Sequence, residues 1–105
     1  METLQFEFRG GRPAAADAVA TLVGVVASGN LEVLVEPASL NGAFRIEVST
    51  PVAGFRNIWE AVLEDFFARH PVADVSVSIN DMGATPAVVS LRLDQALDEF
   101  QGVRP

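Results

Sequence analysis

Apolar and polar residues alternate with a period of two through most of the first half of the chain. Leu4, Phe6 and Phe8 fall on one side and Thr3, Gln5 and Glu7 on the other, which predicts a strand over residues 2–8. Residues 31–36 repeat the pattern, with Leu31, Val33 and Val35 set against Glu32 and Glu36. So do residues 43–49, with Phe44, Ile46 and Val48 inward and Arg45 and Glu47 outward. Residues 20–27 differ. They are apolar and β-branched on both faces, the pattern of a strand covered on both sides. Ser28-Gly29-Asn30 separates that run from residues 31–36 and predicts a hairpin tip, and Asn41-Gly42 signals the next turn. The three strands from residue 20 to residue 49 therefore read as a meander. Residues 9–18 are rich in Gly, Pro and Ala, without a period, and read as a loop.

The period changes at residue 55. Phe55, Ile58, Trp59, Val62, Leu63, Phe66 and Phe67 recur at helical spacing and predict one continuous apolar stripe over residues 55–69. Pro71 stops the helix after His70. Residues 72–79 predict another strand and residues 80–84 a turn. Thr85-Pro86 has the form of an N-cap followed by proline in the first helical position, with Val89, Leu93, Ala96, Leu97 and Phe100 on one face behind it. The rival reading of that segment is a strand through Val89, Leu91 and Leu93, then a short helix opened by Asp94. With the helix preferred, the order is ββββαβα. The expectation is an α+β fold, a single domain over residues 1–105, with an antiparallel sheet and two helices packed on one face.

Composition narrows the function classes. The chain has 105 residues, half of them hydrophobic and a fifth charged, enough to bury a core. It has no cysteine, which removes disulfides, thiolate metal sites and a cysteine nucleophile. A formal net charge of −7 opposes binding to nucleic acid or anionic membrane and suits docking against basic protein surfaces. The first residues carry no cationic start before an apolar run, and no apolar stretch is long enough to span a bilayer, so the expected location is the cytoplasm.

Candidate chemistry is sparse. The one histidine, His70, ends a helix, where a cation complements the helix C-terminus. Glu32, Glu36 and Glu47 are outward strand residues, and Glu60, Glu64, Asp65, Asp94, Asp98 and Glu99 lie on outer helix faces. No pair of carboxylates is set apart for acid–base work, and no metal or nucleotide-binding pattern occurs. A hydrolase would have to join Ser28 to His70 across the fold. Ser28 is otherwise an ordinary turn residue, although a tight turn presents a small hydroxyl outward and Gly29 leaves room beside it.

The segments METLQFEF, GVVASGNLEVLVEP, IWEAVLEDFFARHP and INDMGATPAVVSLRLDQAL, in this order and spacing, resemble the acyl carrier (delta) subunit of malonate decarboxylase over nearly the whole chain. A more distant resemblance is to the citrate lyase acyl carrier subunit, through Asp81, Gly83 and Ala84 ahead of a helix. The resemblance implies a non-catalytic carrier. Ser28 would hold a 2'-(5''-phosphoribosyl)-3'-dephospho-CoA arm through a phosphodiester, with Gly29 and Asn30 as its turn context. It also implies partners: acyltransferase and decarboxylase subunits that exchange and decarboxylate thioesters on the arm, and a transferase that attaches it. This sequence departs from the family at Asn30, where aspartate is usual, and at Ala27, where glycine is common. It lacks the Asp-Ser-Leu triplet of four-helix carriers. The alternative is a structural or adaptor subunit without covalent modification.

Overall fold

In the computed structural model, which describes residues 1–14, 18–24 and 27–102, the alternating segments become the strands of one sheet. They are β1 (Glu2–Arg9), β3 (Thr21–Gly24), β4 (Leu31–Pro37), β5 (Ala43–Thr50) and β7 (Val75–Asp81), arranged β1-β5-β7-β4-β3. A short parallel pair, β2 (Arg12–Pro13) with β6 (Val72–Ala73), ties the segment after β1 to the chain entering β7. The helices are α1 (Arg56–Arg69) and α2 (Pro86–Phe100).

Period-two alternation sets the two faces of the sheet. Leu4 and Phe6, Phe44, Ile46 and Val48, Val75, Val77 and Ile79, and Leu31, Val33 and Val35 are buried beneath the helices. Trp59, Leu63 and Phe66 of α1 and Val89, Leu93, Ala96, Leu97 and Phe100 of α2 complete the same core. Burying one such Leu or Phe stabilises the fold by about 1.5–3 kcal/mol. Phe67 extends this contact, stacking on Phe8 and Phe44 with ring centroids 5.1 and 5.8 Å apart. The opposite face is uncovered and mostly polar, with Leu22 and Leu34 paired on it near the β3 edge. Gln5 donates to Glu47 at 3.1 Å there, and Arg45 lies 3.7 Å from Glu7. The α+β class, the two helices on one face and the Thr85-Pro86 helix start are as the sequence predicts. Thr85 Oγ1 accepts the Val88 N–H at 3.3 Å.

Three expectations change. The sheet is mixed, because β5 and β7 run parallel while the other pairs are antiparallel. The β5–α1–β7 connection is the helical crossover that a parallel pair requires. The meander fails for the same reason, since β7 lies between β4 and β5. This order places Asn80 and Ser76 of β7 opposite Glu32 and Glu36 of β4, and Ser78 opposite Glu47 of β5, so the acidic residues of β4 and β5 face neutral partners on β7 rather than one another. The strand expected to be covered on both faces is an edge strand, with Leu22 59% exposed. It ends at Gly24, and residues 25 and 26 of the expected strand lie outside the described residues.

The apolar stripe of α1 is only partly core. Phe55 and Ile58, at its start, are 44% and 46% exposed. No helix among the described residues is long and apolar enough to cross a membrane.

Candidate functional site

The hairpin between β3 and β4 is paired in register from Thr21 opposite Val35 to Gly24 opposite Glu32. Gly24 is required at that last pair. Its φ is +101°, and a Cβ there would run into the Leu31 carbonyl oxygen. Beyond it, the Asn30 N–H donates to the Ala27 carbonyl at 3.0 Å, closing a turn with Ser28 and Gly29 at its centre. Gly29 has φ +77°, the left-handed conformation that a type II turn needs in its third position. Ser28 is exposed, and nothing lies within 4 Å of where a Gly29 side chain would begin. The hydroxyl therefore stands on an open turn with room for a large substituent.

The turn is held from behind. The Gly29 N–H donates to the Met82 carbonyl, and the Met82 N–H donates to the Asn30 carbonyl, both at 2.9 Å. Met82 is fixed in turn by its neighbour Asp81, which is buried. Asp81 Oδ1 accepts the Gly83 and Ala84 N–H groups at 3.1 and 2.9 Å, and Oδ2 accepts the Thr50 hydroxyl at 2.8 Å. Asn30 Oδ1 accepts both the Leu31 N–H at 2.8 Å and Arg92 Nε at 3.1 Å. Arg92 also donates through Nη1 to Gln95 Oε1 at 2.9 Å. In an acidic chain, this guanidinium beside the turn rests on two neutral amide oxygens.

Ser28, Gly29 and Asn30 thus form one rigid unit, and the structure adds Met82 and Arg92 to it. Sequence reasoning missed both. Met82 contributes only its backbone, which no residue pattern reports. Arg92 lies 62 positions from Asn30 and meets it only because α2 packs over β3 and β4.

His70 is not part of this unit. It caps the C-terminal end of α1, whereas the Ser28 turn adjoins the end of the sheet from which α1 and α2 start. His70 Nε2 lies 3.2 Å from Asp94 Oδ1, and its ring packs on Phe66 at 5.1 Å. Arg69 donates to both oxygens of Asp94 at 2.7 and 2.9 Å and to Asp65 at 3.0 Å. Hydrogen bonds to Asp94, then to Asp65, push the Arg69 pKa above its ordinary value. The histidine belongs to a self-contained ion cluster, and the Ser28–His70 pairing that a hydrolase needs is not assembled.

The fold is thus a small two-layer domain that presents the exposed Ser28 hydroxyl on a braced, open turn. A family model described as malonate decarboxylase delta subunit (MdcD) matches residues 19–100. Malonate decarboxylase acyl carrier proteins from Xanthomonas axonopodis pv. citri and Burkholderia cepacia are 64% and 62% identical to the chain. These matches cover 97% of both chains in the first case, and 94% of this chain and 90% of the relative in the second. The fold also matches a chain in the crystal structure of a Pseudomonas malonate decarboxylase hetero-tetramer in complex with malonate. That match has a TM-score of 0.84 and 44% identity, and covers 95% of this chain and 99% of the other. The chain belongs to the malonate decarboxylase delta subunit family, the acyl carrier proteins of that system.

Proposed function

We propose that this chain is the acyl carrier subunit of a malonate decarboxylase and that Ser28 is the attachment point of its phosphoribosyl-dephospho-CoA arm. The observation that carries the reading is the turn itself, with an exposed hydroxyl, open space at Gly29 and a backbone pinned to Met82. These residues fit the group. A phosphodiester at Ser28 Oγ meets no crowding at the neighbouring Gly29, and Arg92 is the nearby cation to face its negative charge. When attached, the arm supplies a terminal thiol for the acyl thioester.

Every other contribution of the chain is positional. The paired strands and the Met82 clamp hold the tether's origin still, so that the tethered group meets each partner at high effective concentration. The subunit contributes no acid, base or nucleophile to the reaction. Its acidic balance favours partner subunits with basic docking surfaces, by an attraction that weakens as salt rises. The function is tested by reconstituting the decarboxylase with Ser28→Ala. Loss of malonate turnover with assembly intact is the expected result. Full turnover would instead establish an unmodified adaptor.

A further inference from the structure

A groove of about 260 Å³ opens between the starts of α1 and α2. Val52, Phe55 and Ile58 line it and are 43%, 44% and 46% exposed, and Trp59 and Val89 form deeper parts of its lining. Three large apolar side chains left open side by side mark a binding surface rather than scattered surface residues. We propose that this groove is the resting subsite for the acetyl-thioester end of the arm carried on Ser28, an inference that rests on the carrier reading above.

Connectivity favours this occupant. Gly29 and Asn30 are hydrogen-bonded to Met82, and the residues on either side of Met82, Asp81 and Gly83, line the groove. The turn extends the β3–β4 hairpin, while the groove lies over the ends of β7 and β5. The offset is therefore a few strand spacings of about 5 Å each. That is a short span for an arm containing a second ribose phosphate, a nucleotide and a pantetheine chain.

Size and polarity select the part that docks. Pockets for whole drug-sized ligands run from about 300 to 1,000 Å³, so this groove is too small for the arm and suits only its tip. Asp81 has both oxygens engaged by Thr50, Gly83 and Ala84 and offers no donor to an anion. The lining thus accepts a neutral acetyl thioester and disfavours the extra carboxylate of a malonyl one. Tethering makes even weak affinity sufficient, and docking shields the thioester from water.

The test uses the full-length chain, isotope-labelled, loaded by its transferase and then acetylated or malonylated. Intact mass first establishes the adduct on Ser28. Acetylation should shift the Trp59 indole and the Gly83 and Ala84 amide resonances and move the emission of Trp59, the chain's one tryptophan. Malonylation should leave these signals near their values in the unloaded protein. Ile58→Glu, with Val52→Asp as a second variant, should abolish the acetyl response while the adduct remains. The subsite is overturned if the adduct forms but shifts stay confined to residues 28–30 and 82. It is equally overturned if Ile58 becomes protected only when partner subunits are added. Absence of any adduct on Ser28 would instead refute the carrier reading from which it starts.

Discussion

Two turns in this molecule share the same chemistry in sequence and differ in what braces them. Ala27–Asn30 and Leu40–Ala43 are each closed by one backbone hydrogen bond, at 3.0 and 3.1 Å, and each contains an Asn and a Gly. The second is clamped by an anion. Asp74 Oδ1 accepts the Leu40 and Gly42 N–H groups, both at 3.0 Å, and the Asp74 N–H donates to the Ala43 carbonyl at 2.7 Å. Those amide donors hold the Asp74 carboxyl below the usual carboxylate range, Gly42 contributing more than Leu40. The first turn is braced by the neutral Met82 backbone and flanked by a cation, Arg92. Turn residues alone do not distinguish these two settings. The sign of the nearby charge, and whether a hydroxyl is left free, does.

Substitutions can break or sharpen this contrast. The largest effect is expected for Gly24→Ala, which forces an L-residue into φ +101° against the Leu31 carbonyl and undoes the register that presents Ser28. Denaturant unfolding should show a loss of about 1–3 kcal/mol. Arg92→Ala should leave stability within about 1 kcal/mol while slowing attachment of the arm by roughly tenfold, the worth of one charge-assisted hydrogen bond. Arg92→Lys should recover part of the rate, and timed intact-mass measurements would read both. Asn30→Asp should have a smaller effect in the same direction, because a carboxylate on Nε would compete for the guanidinium's charge. Faster attachment in this variant would contradict the role given to Arg92.

The smallest effect separates the two turns by pH. Because the folded-state pKa of Asp74 is lowered, its contribution is complete above the ordinary carboxylate range, about 4. It is lost as pH falls through the folded value. Asp74→Asn should remove that part of the acid-induced fall in Tm and leave attachment at Ser28 unchanged. An identical dependence of Tm on pH in the two proteins would count against the clamp.

Much of this architecture was legible from periodicity. Alternation located β1, β4 and β5 to within about one residue, the expected strand over 72–79 located β7 to within about three, and the Thr85-Pro86 start located α2. Strand neighbours were not legible. Asn41-Gly42 has the dipeptide and the positive φ angles of a hairpin turn, at +54° and +86°, yet the strands it joins are separated by β7. The strand–helix–strand order from β5 to β7 was the better guide, since only a parallel pair needs such a crossover. At the site, the Ser-Gly-Asn turn could be found locally. Its brace could not, because Met82 acts through its backbone and Arg92 comes from a distant helix. The exposed start of the α1 stripe was also hidden, since Phe55 and Ile58 keep the helical spacing of core residues without a partner layer above them.

The central claim is that Ser28 is the tether. It is tested most directly by co-expressing the chain with the enzymes that make and transfer the arm, then mapping the modified peptide by mass. A phosphoribosyl-dephospho-CoA adduct on the peptide containing Ser28, absent in Ser28→Ala, is the predicted result. An adduct that persists in Ser28→Ala, or that maps to another residue, would contradict it.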